Sequence, residues 1–343
     1  VQQVSILEEL YQQVIAQGLC AACGACVGQC PYLVKFRGKT VKLDSCARSE
    51  GRCYAYCPAA SFDQELVARE VFSAPYDGNG LGNLIEVKAS RSTSDQIASD
   101  AQGGGTVTSL MIMALEKGLI DAAVLTGPSG ADGFAHGVVA TASEEIRACT
   151  GSKFVGAHSL EALRKALDRG FERIGVVGLP CQTRSVRKMQ IYDLKNERLR
   201  DRISLVIGLF CNWTFSAREF ISFLALRNGK KKVKKYDIPP PPANVLTIET
   251  SSGVESISLD ELRPLIQGAC QKCPDMTSEF ADMSVGMFEG KPGWNTLLIR
   301  TQVGMDLARI AQEEGVLEVQ PFPDENLAHL RQACLNKKGR ASA

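Results

Sequence analysis

Histidine is scarce in this 343-residue chain. His136, His158 and His329 have neither metal-ligand nor triad spacing, so none is assigned a role. No apolar run reaches the roughly 18 residues that a bilayer-spanning helix needs, so no transmembrane segment is expected. Charge of one sign is not in excess: 39 Lys and Arg face 38 Asp and Glu. A formal net charge of +1 argues against a nucleic-acid partner and carries no membrane signal. No apolar signal segment opens the sequence, which sets aside a small secreted disulfide framework. No internal repeat is visible. With 45% hydrophobic and 22% charged residues, the reading is a soluble globular protein of about two domains.

Cysteine, in contrast, is plentiful and patterned. Of thirteen cysteines, seven fall within residues 1–57. Cys20, Cys23, Cys26 and Cys30 are spaced C-x2-C-x2-C-x3-C, and Pro31 follows. That is the bacterial ferredoxin run, in which three thiolates hold one iron–sulfur cluster and the fourth reaches to a second. Ala21, Ala22, Gly24 and Ala25 between the ligands let the backbone wrap closely. Structural zinc accepts C-x2-C pairs but has no use for the x3-C-P ending. The second run is Cys46, Cys53 and Cys57, again followed by proline, Pro58. The crossover rule then assigns Cys57 to the cluster of Cys20, Cys23 and Cys26, and Cys30 to Cys46 and Cys53. This second set is one thiolate short. It suits a [3Fe-4S] cluster, or a [4Fe-4S] cluster whose last ligand is Glu50, Asp44, water or a cysteine from elsewhere. So many thiols imply a reducing, anaerobic cytoplasm.

The rest of the chain reads as alternating helix and strand. Residues 4–18 place Ile6, Leu7, Leu10 and Val14 on one helical face, and Gly18 ends the helix. The ferredoxin-like unit covers about residues 19–60, and a Gly- and Asn-rich linker lies around 75–82. Helices are expected over 106–117, 160–168 and 215–226, and strands over 120–125, 174–177 and 204–210. That alternation argues an α/β domain with a parallel or mixed sheet. Residues 245–250 and 254–259 form a hairpin through Ser251, Ser252 and Gly253. A helix over 326–335 is expected to fray into Lys337, Lys338, Gly339 and Arg340. The basic stretch 230–235 and the prolines at 239–242 read as a solvated loop, with docking of an anionic coenzyme or acidic partner as the alternative. The domains are residues 1–75 and 76–343.

A second cysteine set lies in the α/β part. Cys181 and Cys211 follow strands, and Cys270 and Cys273 form a C-x2-C pair. Together they supply the four thiolates of a cubane cluster, at the strand ends where α/β sheets place their sites. Cys149 and Cys334 have no such spacing and read as structural. A glycine turn, Gln102, Gly103, Gly104, Gly105, Thr106, Val107 and Thr108, opens a helix where amides could approach a phosphate. Gly151, Ser152, Lys153 and Phe154 form a second candidate loop, in which Lys153 suits a pyrophosphate or a flavin edge, with a solvated loop lysine as the alternative.

These motifs, with Gly178-Leu179-Pro180-Cys181-Gln182, Cys270-x2-Cys273-x-Asp275 and residues 281–286 (Ala-Asp-Met-Ser-Val-Gly), resemble the family of beta subunits of coenzyme F420-reducing hydrogenases and dehydrogenases. The resemblance spans about residues 85–300. It implies FAD, a four-iron cluster in the same domain, and hydride exchange with the deazaflavin F420 in many members. The amino-terminal ferredoxin unit is similar to the electron-input subunit of F420H2 dehydrogenases. On this reading FAD sits against Gly103–Gly105 and Gly151–Phe154. Two or three [4Fe-4S] clusters then relay single electrons to partner subunits of a redox complex. No residue is assigned an acid–base role, because hydride transfer demands none. Two alternatives stand beside it. One is an electron-transfer adaptor using NAD(P) or a protein donor. The other is a stand-alone reductase of an organic substrate. The short second run departs from ordinary two-cluster members.

Overall fold

The computed structural model describes residues 5–130, 132–228, 233–239 and 242–342. Residue 4 of the first expected helix, residues 230–232 of the basic stretch and prolines 240 and 241 lie outside the described residues.

The chain opens with a helix, Ile6–Leu10, whose Ser5 hydroxyl accepts a hydrogen bond from the Glu8 amide. It widens into a π-helical turn over Tyr11–Ile15, and Gly18, at φ +70°, ends it. Leu7, Leu10 and Val14 are buried and pack around Leu33 and Cys53. Two short antiparallel strands follow, β1 (Leu33–Phe36) and β2 (Lys39–Lys42).

The principal sheet takes its strands from the length of the remaining chain. They are β3 (Glu86–Ser92), β4 (Ala122–Ser129), β5 (Ala135–Ala140), β6 (Ile174–Gly178) and β7 (Ile203–Leu209). A separate antiparallel set, β8 (Val233–Asp237), β9 (Val245–Thr250) and β10 (Gly253–Ser258), contains the expected hairpin. Then β11 (Met283–Met287), β12 (Asn295–Ile299) and β13 (Leu317–Pro321) complete the large sheet. Among the described residues its order is β13-β3-β12-β11-β7-β6-β4-β5. The centre, β11-β7-β6-β4, is parallel and the flanks are antiparallel, so the sheet is mixed.

Side chains alternate across this sheet, as the strand repeat of two requires. Ala123, Leu125, Val177, Leu205 and Ile207 enter one core with Leu110, Met111 and Met113 of the helix Thr106–Glu116. Val124, Val176 and Val206 enter the opposite core, with Leu163 of the helix Glu161–Asp168 and Val186 and Met189 of the helix Pro180–Ile191. Cys23, Ala25 and Tyr56 belong to that second core. The amino-terminal unit therefore packs directly on one face of the sheet.

Two expectations change. The linker around 75–82 is tied down: Leu81 is fully buried, its carbonyl accepts from the Arg300 guanidinium at 2.7 Å, and the Tyr76 hydroxyl donates to Glu279. The carboxy-terminal tail does not fray after Leu335. One helix runs Asp324–Ser342, and Lys337 within it is only 3% exposed. Intrinsic propensity is a weak guide here, because tertiary hydrogen bonds to the lysine heads hold the last turns.

Candidate functional site

Cys20, Cys23, Cys26 and Cys57 line one small cavity, closed on another side by Leu10, Val14 and Ile15. Cys30 and Cys46 lie close enough to Cys53 for their charges to raise its thiol. The two runs thus fold so that Cys57 joins the first three cysteines, and Cys30 stands with the second run. Asp44 and Glu50 are exposed. Among the described residues no three His, Cys, Asp or Glu side chains close on a single metal ion. A cluster spreads its thiolates around a core of several atoms, so cysteines gathered about a cavity are the relevant pattern.

Backbone geometry explains how the loop closes. Ala22, Gly24 and Gly28 have φ of +51°, +87° and +78°. A Cβ on Gly24 would sit 2.4 Å from the His158 carbonyl oxygen, so this approach needs glycine. The His158 amide donates to the Ala22 carbonyl at 2.8 Å, and the Leu160 amide to that of Cys23 at 3.0 Å. The His158 ring is buried, its Nε2 3.0 Å from the Thr40 hydroxyl, which accepts from Cys20 Sγ at 3.6 Å. Burial, aided by the Lys35 charge, pushes His158 down to about 4, so it is neutral. Sequence spacing held no signal for this residue. Burial also pushes Cys23 up to about 12 and Cys53 up to about 11, and raises Cys26 and Cys57. Thiols raised in this way stay protonated near neutral pH unless a cation compensates their charge.

The second set converges from three segments. Cys181 sits in the first turn of the Pro180–Ile191 helix, entered through Pro180, with Gln182 Oε1 accepting from the Leu179 amide at 2.8 Å. Cys211 follows β7, its amide donating to the Met276 carbonyl at 2.8 Å. Cys270 Sγ accepts from the Thr214 amide at 3.3 Å, and Cys273 Sγ lies 3.5 Å from the Asp275 carbonyl oxygen. Burial raises the Cys181 thiol, and the neighbouring thiols of Cys23, Cys273, Cys211 and Cys270 raise it further. Cys181 therefore stands between the two cysteine sets. Both Asp275 carboxylate oxygens accept from the Glu279 amide, closing the turn that follows Cys273. Cys334 is fully buried, whereas Cys149 lines the cavity described next.

That cavity holds about 490 Å³, within the 300–1,000 Å³ usual for ligand pockets. It opens at the carboxyl ends of the parallel strands, against Thr126, Gly178, Leu209 and Gly286. Gln102, Gly103, Gly105, Thr106 and Thr108 line it from one side, and Gly151, Ser152, Lys153 and Phe154 from another. Gly104 lies behind the turn rather than on the wall. A Cβ there would meet Arg91, Asn295 and Gly293, each at 2.9 Å. A Cβ on Gly103 would lie 2.5 Å from Asn295 Nδ2. The glycines are thus demanded by Asn295 of β12, whose Oδ1 accepts from the Thr106 amide at 3.3 Å. The other side of Gly103 faces the cavity bare. Gln102 Oε1 is buried with no hydrogen-bond partner among the described residues, an acceptor left for a ligand. Lys153 is pushed below its ordinary range by burial, its Nζ donating to the Thr150 carbonyl at 3.0 Å. Cys211 lines the same cavity, so the second cysteine set adjoins it. Trp213, Asn295 and His329 also line it and belong to no motif.

Comparison with known proteins decides the family. The family model for the amino-terminal part of the coenzyme F420 hydrogenase/dehydrogenase beta subunit matches residues 87–164, and the model for its carboxy-terminal part matches 171–325. The beta subunit of the coenzyme F420 hydrogenase of Methanothermobacter thermautotrophicus is 32% identical over 266 residues, 76% of this chain and 94% of that protein. The chain belongs to the family of coenzyme F420 hydrogenase/dehydrogenase beta subunits. One subunit of the F420H2 dehydrogenase of Methanosarcina mazei is 28% identical, covering 91% of this chain and 87% of that one. The coenzyme F420-dependent sulfite reductase of Methanocaldococcus jannaschii is 30% identical over 89% of this chain but 48% of its own length. A chain of the F420-reducing [NiFe] hydrogenase complex from Methanosarcina barkeri superposes with a TM-score of 0.71 at 29% identity, over 78% of this chain and 93% of that one. These are oxidoreductase proteins, and the large mixed α/β sheet is the family fold.

Proposed function

We propose that this chain exchanges a hydride with coenzyme F420 at a bound FAD and relays single electrons through iron–sulfur clusters to or from partner subunits of a redox complex. The observation that carries this is the convergence at one cavity. Both candidate flavin loops line it, and Cys211 of the four-cysteine set forms part of its wall.

The residues suit the groups they would hold. A flavin, when bound, links two-electron hydride chemistry to one-electron carriers. The open side of the Gly103–Gly105 turn and the amino end of the Thr106 helix favour an anionic pyrophosphate. The unpartnered Gln102 Oε1 can accept from a ring imide or a ribose hydroxyl. Lys153 offers a desolvated positive charge. Cys181, Cys211, Cys270 and Cys273 would hold the adjoining cluster, and Cys20, Cys23, Cys26 and Cys57 the next. Cys30, Cys46 and Cys53 would hold an outer cluster, of three irons or with a non-cysteine fourth ligand. Two domains, residues 1–75 and 76–343, follow this division of labour. The relatives' names supply F420 and the complex.

The test is anaerobic mixing of the purified, flavin-loaded protein with reduced F420 and, separately, with NADH and NADPH, following flavin bleaching. Rapid bleaching by reduced F420 alone is expected. No bleaching by F420, with bleaching by a nicotinamide or only by a partner subunit, sinks the F420 reading and leaves an electron-transfer adaptor of the same family.

A further inference from the structure

Among the described residues, two lysines are buried without an acidic partner, and both sit against cysteine loops. Lys188 is 3% exposed, and its Nζ donates to the carbonyls of Cys57 and Ser61, each at 2.6 Å. Lys337 is also 3% exposed, and its Nζ donates to the carbonyls of Cys211 and Asp275 at 2.6 and 2.8 Å. Neither ammonium forms an ion pair with a carboxylate among the described residues. The two come from different helices yet share one arrangement, an ammonium bonded to the carbonyl of a candidate ligand cysteine and to a second carbonyl of the same site.

Satisfying two carbonyls does not require a charge. A buried ammonium costs solvation free energy that neutral carbonyls only partly return, and it persists where an opposite charge faces it. Burial pushes Lys188 down to about 8, and the groups that face it are Cys57, the like-charged Arg184 and Cys23; those that face Lys337 include Cys211 and Cys273. The helix that carries Lys188 also presents Cys181, Arg184 and Ser185 at its i, i+3 and i+4 positions relative to Cys181, with Lys188 at i+7. This stripe meets the amino-terminal unit. Ser185 Oγ donates to the Tyr56 carbonyl at 2.6 Å, and the Arg184 guanidinium covers the Phe62 ring at 4.0 Å.

We propose that Lys188 and Lys337 are the resident counter-charges of two iron–sulfur clusters: Lys188 for that of Cys20, Cys23, Cys26 and Cys57, and Lys337 for that of Cys181, Cys211, Cys270 and Cys273. The inference rests on the iron–sulfur reading of these cysteines. A fixed positive charge beside a cluster favours its more negative, reduced form, so each lysine raises the reduction potential of its own cluster. Both are positioning residues, acting through the field rather than on substrate.

The experiment is an anaerobic redox titration of the full-length, cluster-loaded protein, monitored by electron paramagnetic resonance. The wild type is compared with Lys188→Met, Lys188→Arg, Lys337→Met and Lys337→Arg. Cys57→Ser and Cys211→Ser assign the signals. Each methionine variant is expected to move one signal to more negative potential and leave the other in place, while arginine keeps both near wild type. Where a methionine variant loses its cluster, the corresponding glutamine variant is titrated with the same expectation. Unmoved potentials, or equal shifts with arginine and methionine, overturn the inference. A wild-type protein that binds no iron overturns the cluster reading itself and is told apart by iron analysis alone.

Discussion

Asp282→Asn tests what holds the cysteine-bearing helix in place. Asp282 and Arg187 form an ion pair at 2.9 Å, with side chains 9% and 7% exposed. The other Asp282 oxygen accepts from the Val206 amide of β7 at 2.7 Å, and Oδ1 also accepts from the Thr301 hydroxyl at 2.9 Å. One carboxylate thereby joins the central strand, the Pro180–Ile191 helix and the start of the helix Gln302–Glu313. Asparagine keeps the shape and removes the charge, which leaves the Arg187 guanidinium buried and unpaired. Breaking such a pair from one side costs about 3–5 kcal/mol. With an m value of about 3 kcal/mol/M, the urea midpoint falls by about 1–1.7 M. Iron content falls with it, because Cys181 rides on the same helix. The double variant Asp282→Asn with Arg187→Met removes both charges and recovers much of the loss, since a pair replaced together is often near neutral. A single-variant shift below about 0.3 M, about 1 kcal/mol on that m value, or strict additivity in the double, refutes the reasoning.

Gly103→Ala places a Cβ 2.5 Å from Asn295 Nδ2. Overpacking of about 1–3 kcal/mol displaces Asn295 and uncaps the Thr106 amide, so flavin content after gel filtration and the melting temperature both drop. His158, held at about 4 when folded against an ordinary 6.5, binds a proton only on unfolding. Its contribution is complete above pH 6.5 and is lost as pH falls towards 4, about 2 kcal/mol between pH 7 and 5. His158→Gln should flatten that slope in urea titrations at the two pH values, and an unchanged slope would show that the ring does not set it. Cys181→Ser should remove about four irons per chain and one resonance signal, leaving the signals of the amino-terminal cysteines. Loss of all signals together would mean the sets are not separate.

Much of this was legible because local chemistry wrote it. Cys20, Cys23, Cys26 and Cys30 announce themselves by spacing alone. The strands near 174–177 and 204–210 are continuous apolar runs because both faces of a parallel strand are covered. The hairpin at 245–258 carried its turn residues with it. Other features had no local signal. The strands β3, β12 and β13 pair across long sequence separations, and Asn295 matters only because it lies beneath the Gly103 turn. Lys337 looked like part of a fraying basic tail, since its two acceptors, Cys211 and Asp275, are distant in sequence.

The sequence by itself determined which residue types could do redox chemistry here and in which groups of spacing they came. Ligand spacing, glycine turns and apolar periodicity are properties of adjacent residues, so they survive without a fold. Only the tertiary structure decided which groups stand together. Packing of the amino-terminal unit on the Pro180–Ile191 helix set Cys23 beside Cys181. The ends of four parallel strands made the cavity that the two candidate flavin loops share. Burial then supplied the electrostatics, neutralising His158 and holding two unpaired lysines against the cysteine loops, because desolvation depends on what surrounds a side chain and not on its neighbours in the chain.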